Sequence, residues 1–174
     1  MSISLIAAIG KNGELGYKGE LLVHLPNDLK RFKTLTTGKM CVQGRKTYES
    51  IIKKLGHPLS NRINIVLSKD SNYKPKHSNT FVYHSIREIL HQYHNYGEGK
   101  NELMICGGSQ IYKNFLPYAD HIYLTVIDHV FDKADTYFPK LDLAHWKIEE
   151  SVKYKTDEKH PYPYTFITLS RKLN

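Results

Sequence analysis

The chain has 174 residues, the size of one domain, and is long enough to bury about 70% of its unfolded surface. Its hydrophobic content of 40% is that of a soluble globular protein, and the longest apolar run, Leu5 to Ile9, is far too short to span a membrane. The net charge of +8, from 25 basic and 17 acidic residues, favours anionic ligands, yet the lysines are spread along the chain and no nucleic-acid-binding pattern is present.

The N-terminus has no basic segment leading into a signal-peptide core, so a cytoplasmic location is expected. Cys41 and Cys106 sit in apolar, strand-like runs and read as inert core thiols. The ten histidines are scattered and read as surface residues. His91 and His94 share a helix face, but no carboxylate or cysteine completes a metal set, and no metal is expected.

Residues 2–9 form a short apolar run ending at Gly10, the pattern of a strand buried on both faces. Residues 11–20 follow, with four glycines between Gly10 and Gly19. They predict a long flexible loop without structure of its own, the usual form of a lid. Next comes His24-Leu25-Pro26-Asn27-Asp28-Leu29-Lys30-Arg31-Phe32, a helix start with proline at the first position and an acid in the first turn. Leu25, Leu29, Phe32 and Leu35 make one apolar stripe, and Asp28 lies on it. A carboxylate there must find partners or give up its charge. It is either a helix-start acid bonding nearby amides or an acid facing a pocket.

Residues 39–43 predict a second strand, closed by Gly44, and a helix from Arg45 to Ile52. Residues 62–68 are a β-branched third strand and residues 80–83 a fourth. Ser85-Ile86-Arg87-Glu88 has the capping-box pattern of a helix running toward Tyr96, broken by Gly97-Glu98-Gly99. Residues 102–106 form a fifth strand, closed by Gly107-Gly108, with Ser109 as cap of a helix from Gln110 to about Leu116. Residues 121–128, 146–154 and 164–170 then look like strands without a helix between them. Alternating strand and helix implies a parallel sheet covered on both faces, and the closing strands imply an antiparallel edge.

Two strand-to-helix turns could receive phosphate on free helix amides, Gly44-Arg45-Lys46-Thr47 and Gly107-Gly108-Ser109-Gln110. Neither is a standard nucleotide fingerprint. Two of them in one parallel sheet would suit the two ends of a dinucleotide. Arg45 and Lys46 would grip an extra phosphate, favouring NADP over NAD, or are solvated helix-end cations. Arg62 opens a strand after a loop, placed either to take a substrate carboxylate or to stand exposed. No nucleophile–base spacing and no hydrolase carboxylate pair is present.

The chain resembles dihydrofolate reductase, of the bacterial or phage type, over nearly its whole length. The resemblance rests on pieces in family order: residues 3–8, Leu25-Pro26-Asn27-Asp28-Leu29 to Phe32, and Gly44-Arg45-Lys46-Thr47-Tyr48-Glu49-Ser50-Ile51. Leu59 with Arg62, residues 65–68 and Cys106-Gly107-Gly108-Ser109-Gln110-Ile111-Tyr112 follow. Residues 123–125, 135–139 and 162–166 complete the set.

The resemblance implies an α/β fold, with an eight-stranded, mostly parallel twisted sheet, an antiparallel C-terminal edge and about four helices on both faces. Residues 1–174 would be one domain. It implies reduction of 7,8-dihydrofolate to tetrahydrofolate by hydride from NADPH, delivered to C6 with protonation at N5. Asp28, Leu21 and Thr125 would be the catalytic residues, Asp28 binding the pterin with Thr125 supporting it from behind. Ile6, Ala8, Leu29, Phe32, Ile51, Leu59, Cys106 and Tyr112 would complete the substrate pocket, and Arg62 would hold the glutamate carboxylate. Gly44, Arg45, Lys46 and Thr47 would hold the cofactor with Leu67, Ser68 and Lys69. So would Cys106, Gly107, Gly108, Ser109, Gln110, Ile111 and Tyr112, the two glycines being joined in the family by a cis peptide. Ala8, Leu15, Gly16 and Thr136 would close over the cofactor, with the segment from Gly10 to Leu22 as the lid. Dihydrofolate and antifolates would be the partners of a monomer that binds neither nucleic acid nor membrane.

The chain departs from the family where Leu22-Val23 replaces proline-tryptophan, where Ser109 replaces a frequent glycine, and where Gln110 replaces a frequent arginine. Two other readings share features with this one: a pyrimidine reductase of riboflavin synthesis, and a pteridine-binding protein without catalysis. Asp28 with Arg62 argues against the first, and Val23 is what favours the second.

Overall fold

The computed structural model describes residues 2–96 and 102–172. The strands are β1 (Ile3–Ile9), β2 (Glu14–Tyr17), β3 (Glu20–Leu21), β4 (Met40–Gly44), β5 (Ile63–Leu67), β6 (Thr80–Tyr83), β7 (Leu103–Ile105), β8 (His121–Ile127), β9 (Thr136–Tyr137), β10 (Trp146–Tyr154) and β11 (Tyr164–Arg171). The helices are α1 (Pro26–Thr36), α2 (Arg45–Leu55), α3 (Ile86–Tyr96) and α4 (Ser109–Phe115). Eight strands form one sheet in the order β10-β11-β8-β1-β7-β4-β5-β6. From β8 to β6 every neighbouring pair is parallel. The antiparallel C-terminal edge expected from the sequence is present. β8 lies parallel to β1, and β11 alone runs against its two neighbours, β8 and β10.

The central strands are buried on both faces because helices cover both. Leu5, Val42, Ile65, Leu103 and Ile105 point to the face covered by Ile89 and Tyr93 of α3 and by Ile111, Tyr112 and Phe115 of α4. Their alternates Ile6, Cys41 and Met104 pack with Phe32 and Leu35 of α1 and Ile51 of α2 on the other. Such strands read as continuous apolar runs. The helix ends follow local chemistry. α2 stops at Gly56, whose φ of +78° closes the last turn by donating to Ile52 O at 2.7 Å. At the start of α3, Glu88 N donates to Ser85 Oγ while Glu88 Oε2 accepts from His84 N. The break at residues 97–99 lies outside the described residues.

Two expectations fail locally. Residues 11–20 are not without structure: β2 and β3 form a hairpin, and β2 pairs with β9 in a second, three-stranded sheet. Ser109 does not cap α4 with its side chain. Gly108 holds the cap position, and the Ser109 hydroxyl donates to Tyr137 O at 2.5 Å, tying α4 to β9.

The topology opens a crevice. The chain leaves β1 toward β4 and leaves β7 toward β8, so the connections diverge beyond the carboxyl ends of these adjacent strands. Asp28 and both glycine turns lie around that crevice.

Candidate active site

β1 and β8 pair so that Ala8 lies beside Thr125. α1 brings Asp28 over this pair, and the Thr125 hydroxyl donates to Asp28 Oδ1 at 2.6 Å. Thr125 is fully buried. Burial pushes the Asp28 carboxyl above its usual range, while the Thr125 hydrogen bond and the Arg31 charge pull it back. Asp28 therefore faces the pocket. A small cavity beside it is walled by Ala8, Leu15, Leu21, Leu22, Val23, Leu25 and Ile127. Its volume of about 10 Å³ is room for about one water. Leu25 is the one member of the α1 stripe that is fully buried. Phe32 and Leu35 are half-buried and Leu29 is exposed, because that side of the helix borders the crevice. Phe32 and Ile51 meet buried Ile6 and Leu59 there, with Cys106 at the end of β7.

Tyr112 belongs to the same site through its ring. Its hydroxyl donates to Ile6 O at 2.7 Å, and burial pushes its pKa well above that of a free phenol. It is a fixed donor, not a proton source. Contact with the Cys41 thiol and then burial push the Cys106 thiol upward too, so it lines the wall as a neutral group.

The two glycine turns are brought together. Gly44 N donates to Gly107 O and Cys106 N to Val42 O, both at 2.8 Å. The Gly107–Gly108 peptide is cis. Gly107 has φ +118°, and a Cβ on Gly108 would lie 3.2 Å from Thr47 Oγ1, so both positions suit glycine. Neither α2 nor α4 has a side-chain cap, which leaves first-turn amides pointing into one cradle. The rim is basic. Arg45 pairs with Asp70 at 3.0 Å and stacks 5.4 Å over Tyr73, which fixes it beside the turn of Ser68 and Lys69. Lys46 and Lys69 are exposed, and Leu67 leads into that turn. Ile111 stands 3.1 Å from where a Cβ on Gly44 would be. Gln110 points along its own helix, donating to Asn114 at 2.8 Å, instead of replacing the missing arginine.

On the lid, Gly16 pairs with Thr136 and with Leu21, and a Cβ at Gly16 would sit 2.9 Å from Glu20 O. Arg62 is more occupied than its sequence position suggests. Nε and Nη2 donate to Thr36 Oγ1, Nη2 also to Lys33 O, and Nη1 to Ser60 O at 2.6 Å. Of five N–H donors one on Nη1 is left, so an open bidentate fork is not what the structure presents.

The family model for dihydrofolate reductase matches residues 2–171. The chain belongs to the dihydrofolate reductase family. It is 39% identical over 172 residues to the dihydrofolate reductase of Bacillus subtilis strain 168, covering 98% of this chain and 95% of that one. It is 38% identical to that of Staphylococcus aureus strain N315, covering 99% of each. A solved structure, dihydrofolate reductase from Enterococcus faecalis complexed with NADP(H) and RAB-propyl, superposes with a TM-score of 0.86 at 35% identity. That superposition covers 99% of this chain and 97% of the other.

Three features of this dihydrofolate reductase site have no counterpart in the sequence reading. Arg31 donates to Leu124 O at 2.9 Å and packs 4.6 Å from the Phe166 ring, a half-buried cation behind Asp28. Glu14 is buried in the lid, accepting from Asn12 N at 2.8 Å. His160, expected at the surface, is buried against the start of α1. Each depends on a partner far along the chain or on a short irregular turn, which periodicity does not reveal.

Proposed function

We propose that this protein reduces 7,8-dihydrofolate to 5,6,7,8-tetrahydrofolate with NADPH, and that Asp28 is the acid that binds the pterin. The carrying observation is the Asp28 carboxylate, held at 2.6 Å by the Thr125 hydroxyl inside an apolar crevice. A carboxylate so placed accepts two hydrogen bonds from the pterin's 2-amino and ring N3 groups. That contact fixes the ring and favours its protonation at N5. Ile6, Leu29, Phe32, Ile51 and Leu59 flank the rings of the substrate. Arg62 offers its remaining Nη1–H and its charge to the glutamate carboxylate.

The residues fit NADPH. The joined turns Gly44–Thr47 and Gly107–Gln110 present uncapped helix amides in one cradle. They suit the central pyrophosphate, not the two separate ends of the dinucleotide. Arg45, Lys46 and Lys69 with Ser68 would hold the adenosine phosphates. Bound NADPH supplies the hydride. Leu15, Gly16, Leu21 and Thr136 of the lid side exclude water from it. With Val23 in place of an indole, the lid adds no side-chain N–H beside Asp28.

Residues 1–174 act as one domain in this reading, as a monomer in the cytoplasm, with dihydrofolate and antifolates as ligands. Neither nucleic acid nor a membrane takes part. Loss of NADPH absorbance on adding dihydrofolate tests the activity. Asp28→Asn is expected to keep NADPH binding and lose about 10²-fold or more in turnover at neutral pH. Unchanged turnover would remove Asp28 from the mechanism. Tight antifolate binding without NADPH oxidation would instead make the chain a pteridine-binding protein.

A further inference from the structure

α1 begins without a cap of its own. Its N-cap residue, Leu25, has no side-chain acceptor, and Pro26 at the first helical position has no N–H. The first free amide of the helix is that of Asn27, one residue before Asp28. It donates to Nε2 of His160 at 3.2 Å, across 133 residues of sequence. The Asn27 side-chain amide donates to the Tyr164 hydroxyl at 2.7 Å. His160 is 3% exposed, and its Nδ1 lies 2.7 Å from Asp157 Oδ1. The Tyr164 ring packs beside it, centroid to centroid 5.3 Å.

These contacts define the protonation pattern of the ring. A backbone N–H only donates, so Nε2 must offer its lone pair. The neutral imidazole then carries its proton on Nδ1, and Asp157 accepts it. His160 is thereby a neutral acceptor aimed at the positive end of a helix. A second proton, on Nε2, would remove the acceptor and set a cation against that end. The ionisable groups around the ring are Asp157 and Lys159 of its own turn and Tyr164 on β11; Tyr154 of β10 stacks on Tyr164, and the Asp28 charge on α1 is felt at Tyr164.

We infer that His160 is a positioning residue: from the β10–β11 turn it caps the helix that carries Asp28, and so sets where that carboxylate stands against Thr125. Thr125 holds one carboxylate oxygen from β8, and His160 holds the backbone one residue earlier. The inference rests on the role given to Asp28 above.

The first test needs no variant. Imidazole ¹⁵N shifts at neutral pH should show His160 protonated on Nδ1 and unprotonated on Nε2. A protonated Nε2 overturns the cap. His160→Leu removes the acceptor, and His160→Gln places an oxygen close to the position of Nε2. His160→Leu is expected to lower kcat/KM for dihydrofolate on the order of tenfold, mostly in kcat. It should also move the midpoint of the pH profile, with KM for NADPH unchanged, and His160→Gln should recover most of the loss. A lower melting temperature with kcat and midpoint unchanged would make the cap merely structural and overturn the proposal. If His160→Leu does not fold, Asp157→Ala in the exposed turn releases the ring and should give a smaller loss of the same kind. No change in rate or tautomer there also overturns it. Asp28→Asn separates the two claims. Normal turnover in that variant removes Asp28 itself, whereas a loss there beside a silent His160→Leu rejects His160 alone.

Discussion

Asp28 is a carboxylate whose burial works against its charge. Burial raises its pKa, and the Thr125 hydrogen bond and Arg31 only partly offset this. A folded-state pKa above the unfolded value gives stability that is complete below the unfolded pKa. That stability is lost as pH rises through the folded one. At neutral pH the ionised Asp28 therefore costs stability, as functional groups often do. Asparagine keeps an oxygen for Thr125 and has no charge to desolvate. Asp28→Asn is expected to melt higher than the parent near neutrality, with the gap closing as pH falls to the usual carboxylate range. Melting curves across pH check this, and a lower melting point at pH 7 would show that the charge is net stabilising. The stripe position of Asp28 is legible from spacing, but spacing alone points to a capping acid before a pocket acid. The partner that decides, Thr125, lies 97 residues away, and the resemblance, not periodicity, points to it. His160 escapes both routes, since a lone histidine in a polar turn looks like a surface residue until the chain is folded.

The lid is where an element is misread. Four glycines suggest a loop, yet strands of four and two residues form there because β9 comes back from position 136 to pair with β2, whose other edge takes β3. Strands so short carry no alternating pattern, and a partner some 120 residues away leaves no local sign. Glu14, buried, ties this small sheet to its flanks. Its carboxylate accepts from Asn12 N at 2.8 Å and Phe131 N at 3.4 Å, and its carbonyl accepts from Gly10 N at 2.8 Å. Glu14→Ala strands the first two amides at a cost of about 1–3 kcal/mol. Hydrogen exchange is expected to rise over residues 11–17 and 131–138 and to stay unchanged in β4 and β5. Turnover should fall as the lid loosens. Equal protection over 11–17 in Glu14→Ala and the parent would mean that the backbone ladder alone holds the lid.

At the scale of the whole molecule, the strand–helix alternation and the apolar central strands made the parallel sheet readable. The antiparallel edge was readable too, from closing strands with no helix between them, but which strand reverses was not, because the direction of a strand leaves no mark in its composition; it is β11. Charge is the other property of the whole chain. With +8 overall, it draws the anionic dihydrofolate and NADPH toward the crevice through water. Screening shortens from about 10 Å at 0.1 M salt to about 3 Å at 1 M. Both kcat/KM values are therefore expected to fall as salt is raised, and the two ligands can be told apart. Arg62 stands at the end of α1 with Lys33 and Thr36, away from the Arg45–Asp70 rim. Arg62→Ala should weaken dihydrofolate far more than a pteridine lacking the glutamate, and should flatten the salt dependence for dihydrofolate while leaving that for NADPH. It should also lower the melting temperature, because it releases Thr36, Ser60 and Lys33. Equal flattening for both ligands would mean that the general field of the surface, not Arg62, draws the glutamate tail. Equal loss of dihydrofolate and the truncated pteridine would leave Arg62 as a brace for α1.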